Sequence, residues 1–220
     1  MGYNMETLLP YIPPAEYDNV ATEFLETYYP QGLYKPQAIP ILDIARDNIG
    51  LDVQFVCLSE ELDIYGMTIF DDGLVEIYDP QDGIYLEKVF KRKTVLIDPE
   101  AVKKTNIGCR NNTLAHESVH WFKHRMYYKM QKYTLPKKAK YCKCGINNLP
   151  YINEDEEIME SQAIGIAPRI LMPKNSFMEV VNSYDIHSAE ENWREISEIA
   201  SFFDVSKQSV KIRLQECGIL

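Results

Sequence analysis

His116-Glu117-Ser118-Val119-His120 sets two imidazoles four residues apart, with a carboxylate beside the first. On a helix, residues at that spacing share a face, so both rings reach one cation. Glu117 lies further round the same surface, within reach of a water on the cation and not of the cation itself. That division suits hydrolysis: neutral nitrogens hold Zn²⁺, and a carboxylate takes the proton from its water. The plainer reading is a helix with surface histidines. Three of the four histidines, His116, His120 and His124, fall at four-residue steps, which favours a metal site.

Zinc enzymes usually add a third protein ligand and leave one position for water. His124 lies another helical turn, about 5.4 Å, beyond His120, so it reads as support or packing. His187 has no pattern around it. The longer H-E-x-x-H-x-x-G-x-x-H signature is absent, because Lys123 and Met126 stand where it needs Gly and His. A carboxylate from the next long helix is the remaining source. Glu160 is followed at three, four, seven and eleven residues by Ala163, Ile164, Ala167 and Leu171, which sets it on an apolar stripe. A buried carboxylate is costly unless it is paired or bound to metal. Glu160 is therefore the candidate third ligand, with a helix-end salt bridge as the alternative. Glu154, Asp155, Glu156 and Glu157 read as solvated acids at a helix entrance.

The elements that must position these groups follow from periodicity. A Pro-rich arm, Leu9 to Pro14, precedes a helix over Ala15–Tyr29, and a second helix runs from Ile41 to Asn48. Strands are expected at Val53–Cys57, Ile64–Phe70, Leu74–Tyr78 and Thr94–Asp98, with Asp71-Asp72-Gly73 as a hairpin turn. The helix bearing His116 is expected from Thr113 to about Tyr128. Lys129 to Asn153 reads as an irregular basic insert. The helix bearing Glu160 runs from Asn153 to Met172, with Pro168 as a kink. The tail reads as two short helices. Ser188 opens a capping box, Trp193, Ile196, Ala200 and Phe203 form an apolar face, and Ser206 caps the last helix before Gly218. The fold class is α+β, with a mainly antiparallel sheet of three to five strands packed on the two site helices.

Composition sets outer limits. The 220 residues are 45% hydrophobic and 25% charged, ordinary for a globular chain. No apolar run nears the roughly 20 residues that span a membrane, and no secretory signal is seen at the start. Five cysteines read as reduced thiols of a cytoplasmic protein. The net charge of −10 argues against general nucleic-acid binding. The charge is uneven: residues 87–145 hold 15 basic and 4 acidic residues, against 8 and 29 elsewhere. This is either a dipolar, solubilising surface or a basic face for an acidic segment of a partner. Cys142 and Cys144 offer a second metal or redox site, or an ordinary exposed loop. Lys137, Lys138, Lys140 and Lys143 are placed to line the route to the site. The tail resembles a helix-turn-helix with Lys207, Gln208, Lys211 and Arg213 on its second helix, although its surroundings are acidic.

Thr113-Leu114-Ala115 before His116-Glu117-Ser118-Val119-His120 resembles the active helix of the ImmA/IrrE family of metallopeptidases. Glu160-Ser161-Gln162-Ala163, leading to Leu171-Met172-Pro173, resembles that family's second signature, and Leu96-Ile97-Asp98 its preceding strand. The similarity runs from about residue 38 to about 173. It implies an arm and helix over 1–37, a gluzincin-like core over 38–173 and a helical tail over 174–220. It also implies zinc on His116, His120 and Glu160, with Glu117 as the catalytic carboxylate. The implied substrate is a protein, namely a helix-turn-helix repressor, and DNA and membrane are not expected partners. The basic insert, and Ile164 where relatives often carry Asn or Asp, depart from the pattern without removing a ligand. The rival reading is a regulator that binds DNA, or sequesters a repressor uncut, with zinc as structure or sensor.

Overall fold

Apolar residues at helical spacing build the first long element, and its burial explains its place. The computed structural model describes residues 2–3, 8–103, 107–130, 141–145 and 153–220, with the backbone alone at 2–3, 101–102 and 142–145. In the arm, β1 (Gly2–Tyr3) pairs antiparallel with β2 (Pro10–Tyr11). Helix α1 (Tyr17–Tyr28) then buries Tyr17, Val20, Ala21, Phe24 and Leu25. A short α2 (Ile41–Asp43) continues as a wide turn to Asn48.

Strands β3 (Asp52–Phe55), β4 (Ile64–Ile69) and β7 (Thr94–Ile97) join β8 (Tyr141–Gly145) in one sheet of order β3-β7-β4-β8. The β3–β7 pairing is parallel and the other two are antiparallel. The helical side of the chain follows in order: α3 (Pro99–Lys103), α4 (Ile107–Val119), α5 (Arg125–Met130), α6 (Glu154–Leu171), α7 (Lys174–Val181), α8 (Trp193–Phe203) and α9 (Lys207–Glu216). Between α4 and α5 the helix widens into an i→i+5 turn over His120–His124. Such single wide turns recur at functional sites.

Alternation along β7 sorts the two cores. Val95 and Ile97 join the helices in the main core, whereas Leu96 joins Met67, Ile69, Val75 and Phe90 on the opposite face. The α+β class expected from the sequence is the one observed. The hairpin is not. Asp71-Asp72-Gly73 closes no turn between β4 and its neighbour. The turn lies at Pro80–Gly83, between β5 (Gly73–Asp79) and an unforeseen β6 (Ile84–Phe90). This ribbon prolongs the β4–β7 pairing in the same register, since four residues intervene on each chain between the Thr68–Val95 and Gly73–Phe90 pairs. Asp72 marks the bend instead: its carboxylate accepts from Arg92 N at 2.7 Å and Lys91 Nζ at 2.8 Å. Val75 and Phe90, at the base of the ribbon, cover the second face of the sheet.

Other expectations shift as well. The site helix begins at Ile107 and not Thr113. The insert is not wholly irregular, because its Tyr141–Gly145 stretch is the strand beside β4. Lys137, Lys138 and Lys140 lie outside the described residues, as do the side chains of Cys142, Lys143 and Cys144. Ser188 does accept from Glu191 N at 3.1 Å, but the helix starts only at Trp193, after Asn192. Trp193 is 64% exposed and takes no part in the apolar face. Ser206 caps α9 through Ser209 N at 3.0 Å, as expected.

Candidate metal centre

Helix α6 is started by the Asn153 side chain, which accepts from Glu156 N at 2.9 Å, and by four acids in its first turn. It packs along α4 and α1. Burial of Met159, Ala163, Ile166, Ala167 and Ile170 carries Glu160 inward, onto the face of α4 that presents His116 and His120, whereas Ile164 of the expected stripe is 55% exposed. Glu160 Oε2 lies 3.1 Å from His116 Nε2, and Oε1 lies 3.2 Å from His120 Nε2. The two imidazole nitrogens are 2.9 Å apart. The three residues form a group with ligand atoms all within 4.8 Å of one another.

This donor set fits a small divalent cation. Tetrahedral zinc with bonds of about 2.0–2.1 Å spaces its donors about 3.4 Å apart, close to the spacing here. Two imidazoles and a carboxylate are also the ligand types that zinc takes at catalytic centres. The electrostatics agree. Burial would by itself raise the Glu160 carboxyl, but the facing His120 and His116 rings reverse that and hold it well below the usual range. Burial lowers His120, favouring the neutral ring that a metal requires. His124 is pushed down to about 3 by burial and then by the neighbouring His120.

His124 is outside the group. Its Nδ1 lies 3.0 Å from His120 Nδ1 and its Nε2 lies 2.9 Å from Gln162 Oε1. His187 is remote, with an exposed side chain 3.2 Å from Asp185. Glu117 is fully buried on α4 beneath β4. The Thr68 hydroxyl donates to Glu117 Oε2 at 2.6 Å. A Cβ on Gly66 would lie 2.7 Å from Thr113 Cγ2 and 2.8 Å from Glu117 Oε1, so only glycine lets β4 pass this close. Sequence reasoning missed Thr68, Gly66 and Gln162. A glycine inside a strand was a usable signal for close approach, and alternation then places Thr68 on the same side.

The tail meets the core through charge. Arg213 of α9 is only 1% exposed and pairs with Asp18 of α1 and with Glu216. Arg169 of α6 joins the same cluster through Glu216 at 3.0 Å. Arg213 is thus turned inward and is not a surface contact for nucleic acid. Among the described residues no helix is long and apolar enough to cross a membrane.

Fold and site together define an α+β protein whose helices present a His–His–Glu group able to hold a metal. A family model described as Peptidase_M78, IrrE N-terminal-like domain, matches residues 92–215, more than half of the chain. The chain belongs to this family, and its character is that of a metallopeptidase. The match starts later than the sequence motifs implied and continues through α8 and α9. No curated protein matches the chain.

Proposed function

We propose that the protein is a zinc-dependent endopeptidase whose substrate is a protein, in particular a helix-turn-helix repressor. The observation that carries the reading is the His116–His120–Glu160 group with Glu117 one residue from the first ligand. His116, His120 and Glu160 hold the ion, and Zn²⁺ so held supplies the Lewis acidity that makes water nucleophilic near neutral pH. Glu117 takes the proton of the attacking water and returns it to the leaving amine. Thr68 keeps one oxygen of that carboxylate engaged and so restrains its orientation. The repressor as substrate rests on the resemblance of the two motifs to the ImmA/IrrE peptidases. A cytoplasmic setting is supported by Cys57 and Cys217, which form no disulfide among the described residues.

The DNA-binding alternative loses support from Arg213, whose charge is spent on Asp18 and Glu216. The test is incubation of the zinc-loaded protein with a candidate repressor, with fragments identified by mass spectrometry. Glu117→Gln is expected to keep about one zinc and to release no fragments. Undiminished cleavage by Glu117→Gln would remove Glu117 from the mechanism. Repressor binding by the parent without any fragments would replace cleavage by sequestration.

A further inference from the structure

A chain of hydrogen bonds runs from the N-terminal arm to an imidazole of the metal centre. The Pro10 carbonyl accepts from Gln162 Nε2 at 2.9 Å, Gln162 Oε1 meets His124 Nε2 at 2.9 Å, and His124 Nδ1 meets His120 Nδ1 at 3.0 Å. The direction of each proton follows from the first link. A carbonyl only accepts, so the Gln162 amide nitrogen faces Pro10 and its oxygen faces His124. That oxygen also only accepts, so His124 carries its hydrogen on Nε2. A neutral ring has one N–H, which makes His124 Nδ1 an acceptor for the hydrogen on His120 Nδ1. His120 is left with a bare Nε2, the nitrogen 2.9 Å from His116 Nε2 and 3.2 Å from Glu160 Oε1. His120, His124 and Gln162 are all buried, so water does not compete for these bonds.

The arm is fastened where this link needs it. Leu9 and Ile12 flank β2 and are both buried in the main core. Leu8 holds φ at 58°, a left-handed conformation unfavourable to leucine, beside the buried Leu9.

We propose that the N-terminal arm is a working part of the metal centre. Through the Pro10 carbonyl, Gln162 and His124 it presents His120 Nε2 as an unprotonated ligand, and metal affinity depends on the arm staying docked. The proposal rests on the reading of His116, His120 and Glu160 as metal ligands. Gln162 and His124 are positioning residues that act through His120.

The experiment is zinc affinity of the full chain by competition with a chromophoric chelator, beside the visible spectrum of the Co²⁺ form and the Tm of the metal-free protein. Gln162→Met fills the space but makes neither bond, and is expected to weaken zinc about tenfold to a hundredfold and to alter the Co²⁺ spectrum. Gln162→Glu restores an acceptor to His124 but, as a carboxylate, offers no donor to the Pro10 carbonyl, and is expected to recover only part of that loss. Ile12→Ala loosens the arm without touching the chain of bonds and is expected to weaken zinc in the same direction. Parent-like affinity in Gln162→Met and Ile12→Ala overturns the proposal. So does a loss in Gln162→Met that leaves the Co²⁺ spectrum unaltered, which assigns the effect to packing. A parent chain that binds no zinc overturns the metal site itself, an outcome distinct from tight binding in parent and variants alike.

Discussion

Thr68 is a single hydroxyl on a sheet strand, yet it touches the carboxylate on which the proposed hydrolysis turns. A hydrogen bond to a charged group contributes about 1.5–3 kcal/mol, so its loss from a working base has a visible cost. Thr68→Val keeps the shape and removes the donor, and kcat for peptide cleavage is expected to fall about tenfold to a hundredfold on that figure. Zinc content should stay the same, and Thr68→Ser should restore most of the rate. An unchanged kcat in Thr68→Val would leave Glu117 oriented by something else.

His124 makes a second prediction at this scale. Its folded pKa of about 3 lies below the ordinary 6.5, so between those values the unfolded chain takes up a proton that the folded one refuses. The stability it contributes is complete above about 6.5 and is lost as pH falls toward about 3. Glu160, also lowered, acts in the same direction further down. Urea titrations of the metal-free protein should show a lower midpoint at pH 5 than at pH 7. In His124→Phe the difference should shrink, and an equal difference would place the acid sensitivity elsewhere.

At the scale of elements, the site depends on two close crossings. One is β4 over α4 at Gly66. The other is the α8–α9 turn over the start of α4, where Asn111 Nδ2 donates to the Asp204 carbonyl at 3.0 Å. A Cβ on Gly108 would lie 2.3 Å from backbone atoms of Val205 and Ser206, so any larger residue must push the turn away. Gly108→Ala is expected to destabilise the protein by about 1–3 kcal/mol, the usual cost of overpacking. Thermal denaturation measures it, and an unchanged Tm would mean that the turn yields freely. The wide turn at His120–His124 belongs to this scale too, because it sets where the second and third imidazoles of the helix lie.

For the whole molecule, the tail is held by charge pairs on two buried arginines as well as by apolar contact. Asp18, Arg169, Arg213 and Glu216 bring α1, α6 and α9 together at one cluster. Removing Arg213 leaves Asp18 and Glu216 to share Arg169, and because both carboxylates are partly exposed the cost is about 1–3 kcal/mol. Arg213→Met is expected to lower the urea midpoint by a corresponding amount. Adding Asp18→Asn to it should recover part of the loss, since fewer unpaired charges remain. A double variant as unstable as two independent losses would show that the residues do not act as one cluster.

Much of the site was legible because helical periodicity is local. The spacing of His116, His120 and His124 sets which residues share a face, and Ala163, Ala167 and Leu171 after Glu160, though not the exposed Ile164, mark that carboxylate as inward-facing. Burial against a neighbour then brings the three donors together. Periodicity says that a face is buried but not what covers it. Thr68 over Glu117, Pro10 under Gln162 and Asp18 against Arg213 join residues far apart in the chain. β8 was hidden because strand pairing is settled by the partner edge, and the hairpin was misplaced because Asp72 serves as a clamp where its composition reads as a turn. Residue types and their periodicity specify which groups face inward and what chemistry they carry. Which distant backbone and side chains complete them follows from how the layers pack, and no local pattern encodes that.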